Sequence, residues 1–166
     1  MAVVGIIGGD SNETAVLFLR MCQENGQRAI VDYYKMPEDN AIPIVAIDEN
    51  RHEAPRIWIL QETTNSAILH GDIFVMNVDS IKMPPRFEKG KLITYGFNMK
   101  ASVTASSVSD ESLQVCIQRG FESIKGSRFG PQEFKTDCPS FVSPLNLLGA
   151  VAACAVCDVL NLPDCE

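Results

Sequence analysis

The chain has 166 residues, 46% of them hydrophobic and 21% charged, with a formal net charge of −7. That length and apolar content suit one folded domain, residues 1–166, with a real core, and exclude a disordered chain. The acidic balance, with no basic cluster, excludes non-specific binding to nucleic acid or to an anionic membrane surface.

Val3, Val4, Ile6 and Ile7 predict a first strand, and Gly5, Gly8 and Gly9 follow the logic of a tight turn. Asp10, Ser11, Asn12, Glu13 and Thr14 then open an apolar-periodic segment, a helix over Asn12–Asn25 stopped by Gly26. A strand, a glycine turn and a helix N-terminus direct free backbone N–H groups and the positive end of the helix dipole at one spot, where an anion can sit. A working nucleotide loop adds a Lys for the phosphates and a Ser or Thr for magnesium. Here the corresponding place reads Ser11-Asn12-Glu13-Thr14, without Lys and with an added carboxylate. Asp10 and Glu13 also have capping-box spacing, so they would satisfy the helix's free donors themselves. Taken alone, these residues favour a structural turn.

Arg28–Tyr33 predicts a second strand, making a β-α-β crossover unit with parallel strands. Pro37 and Pro43 interrupt the next stretch, which leaves Ile44–Ile47 as a short strand and DENRHEAP as a polar turn. Arg56–Leu60 is a buried strand running into Gln61 and Glu62, followed by a short helix over Thr63–Leu69. Strands at Asp72–Asn77 and Lys91–Tyr95 flank a polar connection, Lys82–Lys89. Such near-continuous apolar strands predict a sheet covered on both faces. From Ala101 the pattern alternates, predicting antiparallel strands at Ala101–Val108, Leu113–Gln118 and Pro131–Phe134. Pro144–Leu160 closes the chain as an apolar helix. The expected fold is α/β: a three-layer αβα arrangement with a mostly parallel sheet, plus a small antiparallel section over about residues 101–136.

No apolar run approaches the ~20 residues that span a bilayer. The N-terminus lacks the basic segment of a secretion signal, so a cytoplasmic location is expected. The six cysteines (Cys22, Cys116, Cys138, Cys154, Cys157 and Cys165) are then expected as thiols. Cys154 and Cys157 form a C-x-x-C within the apolar run AVAACAVCDVL, with no second pair to complete a zinc site. They are expected to be small buried hydrophobes about one helical turn apart. His52 and His70 are isolated.

In the order of its parts the chain resembles the central, ATP-binding domain of the Mur ligase family, which includes the muramyl-peptide ligases, folylpolyglutamate synthase and cyanophycin synthetase. VVGIIGGDSNET stands where the family has its GxxGTxGKT phosphate loop. RIWILQETTNSAIL is similar to the strand and turn that carry the family's metal-binding Glu. KLITYGFNMKASVTASSV matches the late strand before a small antiparallel section, and PLNLLGAVAACAVCDVLNL the closing helix written H-N-x-x-N-A-L-A-A. The departures fall on the catalytic positions. The loop Lys falls at Asn12 and its Thr at Glu13; the helix His falls at Leu145 and its second Asn at Gly149. Asn146 and Glu62 keep the family's residue type. The family's D-H pair and its carbamylated Lys have no counterpart. The substrate-binding and amino-acid-binding domains that flank the central domain in Mur ligases are not represented in this stretch.

Phosphoryl transfer depends on positioning and charge neutralisation, and losing one oriented donor costs ~3–4 kcal/mol at the transition state. The resemblance therefore implies a catalytically inactive Mur-ligase-like domain, acting through binding or as a subunit or regulator. A second reading is an atypical nucleotide-binding protein related to the acid–amino acid ligases. In it Gly8, Gly9, Ser11, Asn12 and Thr14 would hold the phosphates of ATP, Asn146 would lie by the nucleotide, and Glu62, with Asp79, would hold Mg2+. A third is a dinucleotide-binding oxidoreductase, with Asp32 as the ribose-binding acid. Against these, Glu62 and Asn146 have capping roles open to them, and Asn77 and Asp79 suit a turn. The antiparallel section is the expected surface for a homodimer or a protein partner, by strand addition at its edge.

Overall fold

The computed structural model describes residues 2–36, 40–48, 53–62 and 68–162. Most of the short helix expected over Thr63–Leu69, half of the polar turn including His52, and Cys165 fall outside the described residues. The element order is β1 (Ala2–Ile7), α1 (Ser11–Glu24), β2 (Ala29–Lys35), β3 (Ala41–Ile47), β4 (Ile57–Leu60), β5 (Ile73–Asn77), β6 (Lys91–Tyr95), β7 (Val103–Val108), β8 (Ser112–Ile117), β9 (Phe121–Glu122), β10 (Arg128–Phe129), β11 (Gln132–Asp137) and α2 (Pro144–Val156). A nine-stranded sheet runs β11-β8-β7-β6-β5-β4-β1-β3-β2, and β9 and β10 pair as a separate hairpin.

The sheet is mixed. Its middle, β1–β4–β5–β6–β7, is parallel, and both flanks, β1–β3–β2 and β7–β8–β11, are antiparallel. The expected antiparallel section is thus a continuation of the main sheet. The crossover from β1 through α1 to β2 does join parallel strands, but they are not neighbours. β3 lies between them, antiparallel to both. The short connection after β2 favours a hairpin, and β3 pairs with β2 along its whole length, from Ala29↔Ile47 to Lys35↔Ala41. Pro43 was expected to break this strand. It is accommodated because pairing with β1 ends at Gly5↔Ile44, so Pro43 lies just past the last residue of β3 paired with β1.

Strand residues alternate between two apolar faces. Val4, Ile6, Ile57, Ile59, Ile73, Val75, Ile93 and Tyr95 pack under Ala15, Phe18 and Cys22 of α1 and under α2. Trp58, Leu60, Phe74 and Met76 point the other way, onto Ile81 and Phe87. Phe74 and Phe87 stack with ring centroids 4.4 Å apart. The apolar strands are therefore covered on both faces, but the second face is covered by the connection between β5 and β6. Both described helices lie on one face and pack against each other. A second helical layer has no counterpart among the described residues.

α2 is buried along its whole length from Asn146 to Val156. A helix apolar all round needs cover on every side. The sheet and α1 supply two sides. The β9–β10 hairpin adds another, where the Ile124 N–H donates to the Val156 carbonyl (2.9 Å). Cys138 and Val142 join the same core. α2 stops at Val156, short of the expected Leu160, because Asp158 turns into the left-handed region (φ 55°). Val159 N–H then bonds to the Cys154 carbonyl and Asp158 N–H to the Ala155 carbonyl, a Schellman cap. Gly26 (φ 74°) ends α1 in the same way.

Gly149 lets α2 approach β6. A β-carbon there would lie 2.9 Å from Cζ and 3.0 Å from the hydroxyl of Tyr95, which is 1% exposed. In an exposed helix Gly→Ala gains ~1 kcal/mol. Here overpacking outweighs that gain, so Gly149→Ala is expected to lower the stability read by urea unfolding by ~1–2 kcal/mol.

Candidate functional site

The carboxyl ends of β1 and β4 form the place to look. The chain leaves β1 through α1 towards β2, and leaves β4 in the opposite direction towards β5. Open α/β sheets bind their ligands in the crevice at such a switch point. The glycine turn, Gln61, Glu62 and the N-termini of both helices meet there.

The turn is filled by the chain's own side chains. Gly9 N–H donates to Glu62 Oε1 at 3.1 Å. Glu62, the expected magnesium ligand, is exposed and binds the amide that would face a phosphate. Glu13 forms no capping box with Asp10, whose side chain makes no cap at all. Its carboxylate reaches α2, where Oε1 accepts from the Ser143 N–H (3.1 Å) and Oε2 from Asn146 Nδ2 (2.7 Å). The charge that was to cap one helix ties the start of α1 to the start of α2, still beside the positive end of the α1 dipole.

Asn146 is 4% exposed and neither caps α2 nor faces an open cleft. The cap is Ser143, whose hydroxyl accepts from the Asn146 N–H (3.4 Å). With Nδ2 committed to Glu13, Asn146 Oδ1 must accept, and it does so from Gln61 Nε2 (3.1 Å). Gln61 Nε2 also donates to Thr14 Oγ1 (2.7 Å). Thr14 is fully buried, and its hydroxyl is engaged by Gln61. This chain of partners fixes the Gln61 amide and leaves its Oε1 buried with no hydrogen-bond partner. That oxygen rests on Gly8, where a β-carbon would lie 2.7 Å from it and where φ is +148°. Gly8 is glycine for this close approach and this backbone angle.

Of the remaining candidates, Ser11 donates its N–H to the Gly8 carbonyl (3.2 Å), which closes the turn. Asn12, at the family's Lys position, is exposed and its Oδ1 accepts from the Tyr33 hydroxyl (3.5 Å). Asp79 is not set up as a metal ligand. Its carboxylate accepts from the Phe97 N–H (2.6 Å) and the Asn98 N–H (3.0 Å), while Asn77 Oδ1 accepts the Asp79 N–H, an Asx turn as expected. Burial pushes the neighbouring Tyr95 phenol well above its ordinary value, and the Asp79 charge adds to the rise. Asp32 lies within β2, with β3 between it and β1, and accepts the N–H of its own neighbour Tyr33 (2.8 Å). It does not reach the glycine turn as a ribose-binding acid would. Among the described residues no group of three His, Cys, Asp or Glu is placed to hold a metal ion.

The Gly8, Gly9, Thr14, Glu62 and Asn146 candidates therefore do come together, through two residues the sequence left unassigned, Gln61 and, in this role, Glu13. The available signal for Gln61 was an amide directly after a fully apolar strand, at the strand end where polar side chains enter the interior. No family model matches the chain, and no curated protein or solved structure matches it.

Glu13→Ala removes a carboxylate that satisfies two donors between the helices. Hydrogen bonds to charged groups contribute ~1.5–3 kcal/mol each, and an unsatisfied buried donor costs a similar amount. Urea unfolding of Glu13→Ala is expected to show a loss of ~2–3 kcal/mol, larger than that of an exposed acid-to-Ala change such as Glu24→Ala.

Proposed function

We propose that the chain is a catalytically inactive, Mur-ligase-like domain that acts by binding, as a subunit or regulator of another protein. The observation that carries this reading is the occupied glycine turn, with Gly9 N–H held by Glu62 and Glu13 spent on the α1–α2 contact. A phosphate entering the turn would have to displace one carboxylate and lie beside another. At ~4 Å and an effective dielectric of ~20, each such pair of like charges costs ~4 kcal/mol. No Lys stands in the turn to offset it.

The same reading takes the parallel β1–β4–β5–β6 run as the core of a three-layer α/β/α domain of that family, with β7–β8–β11 as its antiparallel extension. It also takes β11, the last strand of the sheet, as the edge at which a second copy or a protein partner adds. Its outward Glu133, Lys135 and Asp137 would set the register by charge and discourage unselective pairing. A cytoplasmic location is part of the proposal, as is any role in peptidoglycan metabolism.

The runner-up, an atypical ATP- and Mg2+-binding protein, is favoured by one thing, the position of the turn at the β1–β4 switch point. Thermal-shift titrations with ATP, ADP and a non-hydrolysable analogue, with and without magnesium, separate the two. A nucleotide at ~100 times its Kd would add ~2.7 kcal/mol. The expected result is no shift at millimolar nucleotide. A magnesium-dependent shift abolished by Glu62→Ala would replace the pseudoenzyme by the nucleotide-binding reading. For assembly, light scattering over a wide concentration range is expected to show a dimer weakened by Phe134→Asp; a monomer throughout would remove the edge-pairing proposal.

A further inference from the structure

The nine-stranded sheet ends in β2 on one side and β11 on the other, and the two ends differ. In an antiparallel ladder alternate residues direct their N–H and C=O groups to one neighbour, and the residues between direct theirs away. At β2, Asp48 N–H donates to the Arg28 carbonyl (2.8 Å) and Met36 N–H to the Asn40 carbonyl (2.9 Å), so Ile30, Asp32 and Tyr34 bond to β3 while Val31 and Tyr33 turn outward. The outward Tyr33 N–H is already taken by Asp32 Oδ1 (2.8 Å), which spends the donor at the centre of that edge. At β11, Cys138 N–H donates to the Glu111 carbonyl (2.9 Å), one step beyond the Asp137↔Ser112 pair. Gln132, Phe134 and Thr136 therefore bond to β8, and Glu133, Lys135 and Asp137 turn their backbone groups outward. The side chains of these three are exposed, whereas Phe134 is half-buried against the core.

We propose that the partner at β11 is a second copy of this chain, paired antiparallel about a twofold axis through Phe134, so that the two sheets become one. The proposal rests on the edge-pairing reading above and adds the partner and the register. Paired residues share a face, so only registers centred on a residue keep the alternation of β11. Centred on Phe134, each Glu133 lies opposite the second copy's Lys135, and those two exchange backbone hydrogen bonds with the groups that already point outward. The two Phe134 residues then form a non-hydrogen-bonded pair on the axis, with Cα atoms ~4.5 Å apart, where side chains approach most closely and each ring covers the exposed part of the other. Centred on Lys135, the register sets Lys135 against Lys135 and Glu133 against Asp137, like against like. Centred on Thr136, it again opposes Lys135 to Asp137, but β11 ends there: Cys138 N–H returns to Glu111, and Leu17, Arg20 and Glu24 of α1 face Thr136 and Asp137 across a cavity of about 90 Å³. The Phe134 register alone uses the length of the strand and pairs opposite charges.

Sedimentation equilibrium of the full chain, in reducing buffer at low salt, tests this with charge exchanges at the two exposed positions. Glu133→Lys and Lys135→Glu are each expected to raise the dimer Kd by ~10-fold, because two symmetry-related pairs turn from attraction to repulsion. The double exchange, Glu133→Lys with Lys135→Glu, is expected to restore it. A dimer centred on Thr136 would respond to Lys135→Glu alone and would not be rescued. A mixture of isotope-labelled and unlabelled wild-type chains gives a readout that needs no variant: an isotope-filtered nuclear Overhauser effect between the Phe134 α-protons of the two copies is expected. A dimer whose Kd ignores the exchanges, or that the double exchange leaves weakened, overturns this register while leaving the edge-pairing reading in place. A monomer at every concentration overturns both.

Discussion

The side chain of Gln61 decides how the carboxyl edge of this sheet is built. One amide nitrogen joins Thr14 on α1 to Asn146 on α2, and Asn146 passes the connection to Glu13. Three buried polar side chains, Gln61, Thr14 and Asn146, and the half-buried Glu13 thereby form one chain of partners, so that removing any member strands another. Buried networks of this kind are costly when incomplete, and one acceptor, Gln61 Oε1, is already without a partner. The geometry that results is closed. The turn that would greet a phosphate is held instead by Glu62, and the helix start that would attract one already faces Glu13. Fold and proposed function rest on the same few contacts.

The other organising element is α2. Because it is apolar on every side, the rest of the chain must wrap it: α1 against one flank, the sheet beneath, and the β9–β10 hairpin and the residues around Val142 over the remainder. The small residues that make it a weak amphipathic signal are what allow the close approach. Gly149 sits on the Tyr95 ring, and Ala150, Ala152, Ala153 and Ala155 are all buried.

Much of this was legible from residue pattern. The apolar strands β1, β4, β5 and β6, the start of both helices and the Gly26 stop follow from periodicity and turn chemistry. The β2–β3 hairpin inserted beside β1 was not, because Pro43 argues against a strand and only tertiary pairing shows that it lies past the last residue paired with β1. β9 and β10, at two residues each, carry no periodicity to read. At the site, sequence spacing placed Glu13 in a capping box, whereas its partners lie 130 and 133 residues away on α2. A local motif and a long-range contact compete for the same carboxylate, and the sequence displays only the local one. Glu62, which the resemblance makes a metal ligand, accepts the Gly9 N–H, a contact that residue spacing does not display.

The central claim is that the anion cradle of the glycine turn is already filled by Glu62. The Gly9 amide resonance, followed by proton–nitrogen correlation NMR with magnesium ATP and with inorganic pyrophosphate, tests it most directly. The account predicts a Gly9 amide that neither ligand moves and whose hydrogen exchange becomes faster in Glu62→Ala. Saturable shifts of the Gly9 and Ser11 amides in the wild-type chain, with unaltered exchange in Glu62→Ala, would contradict it.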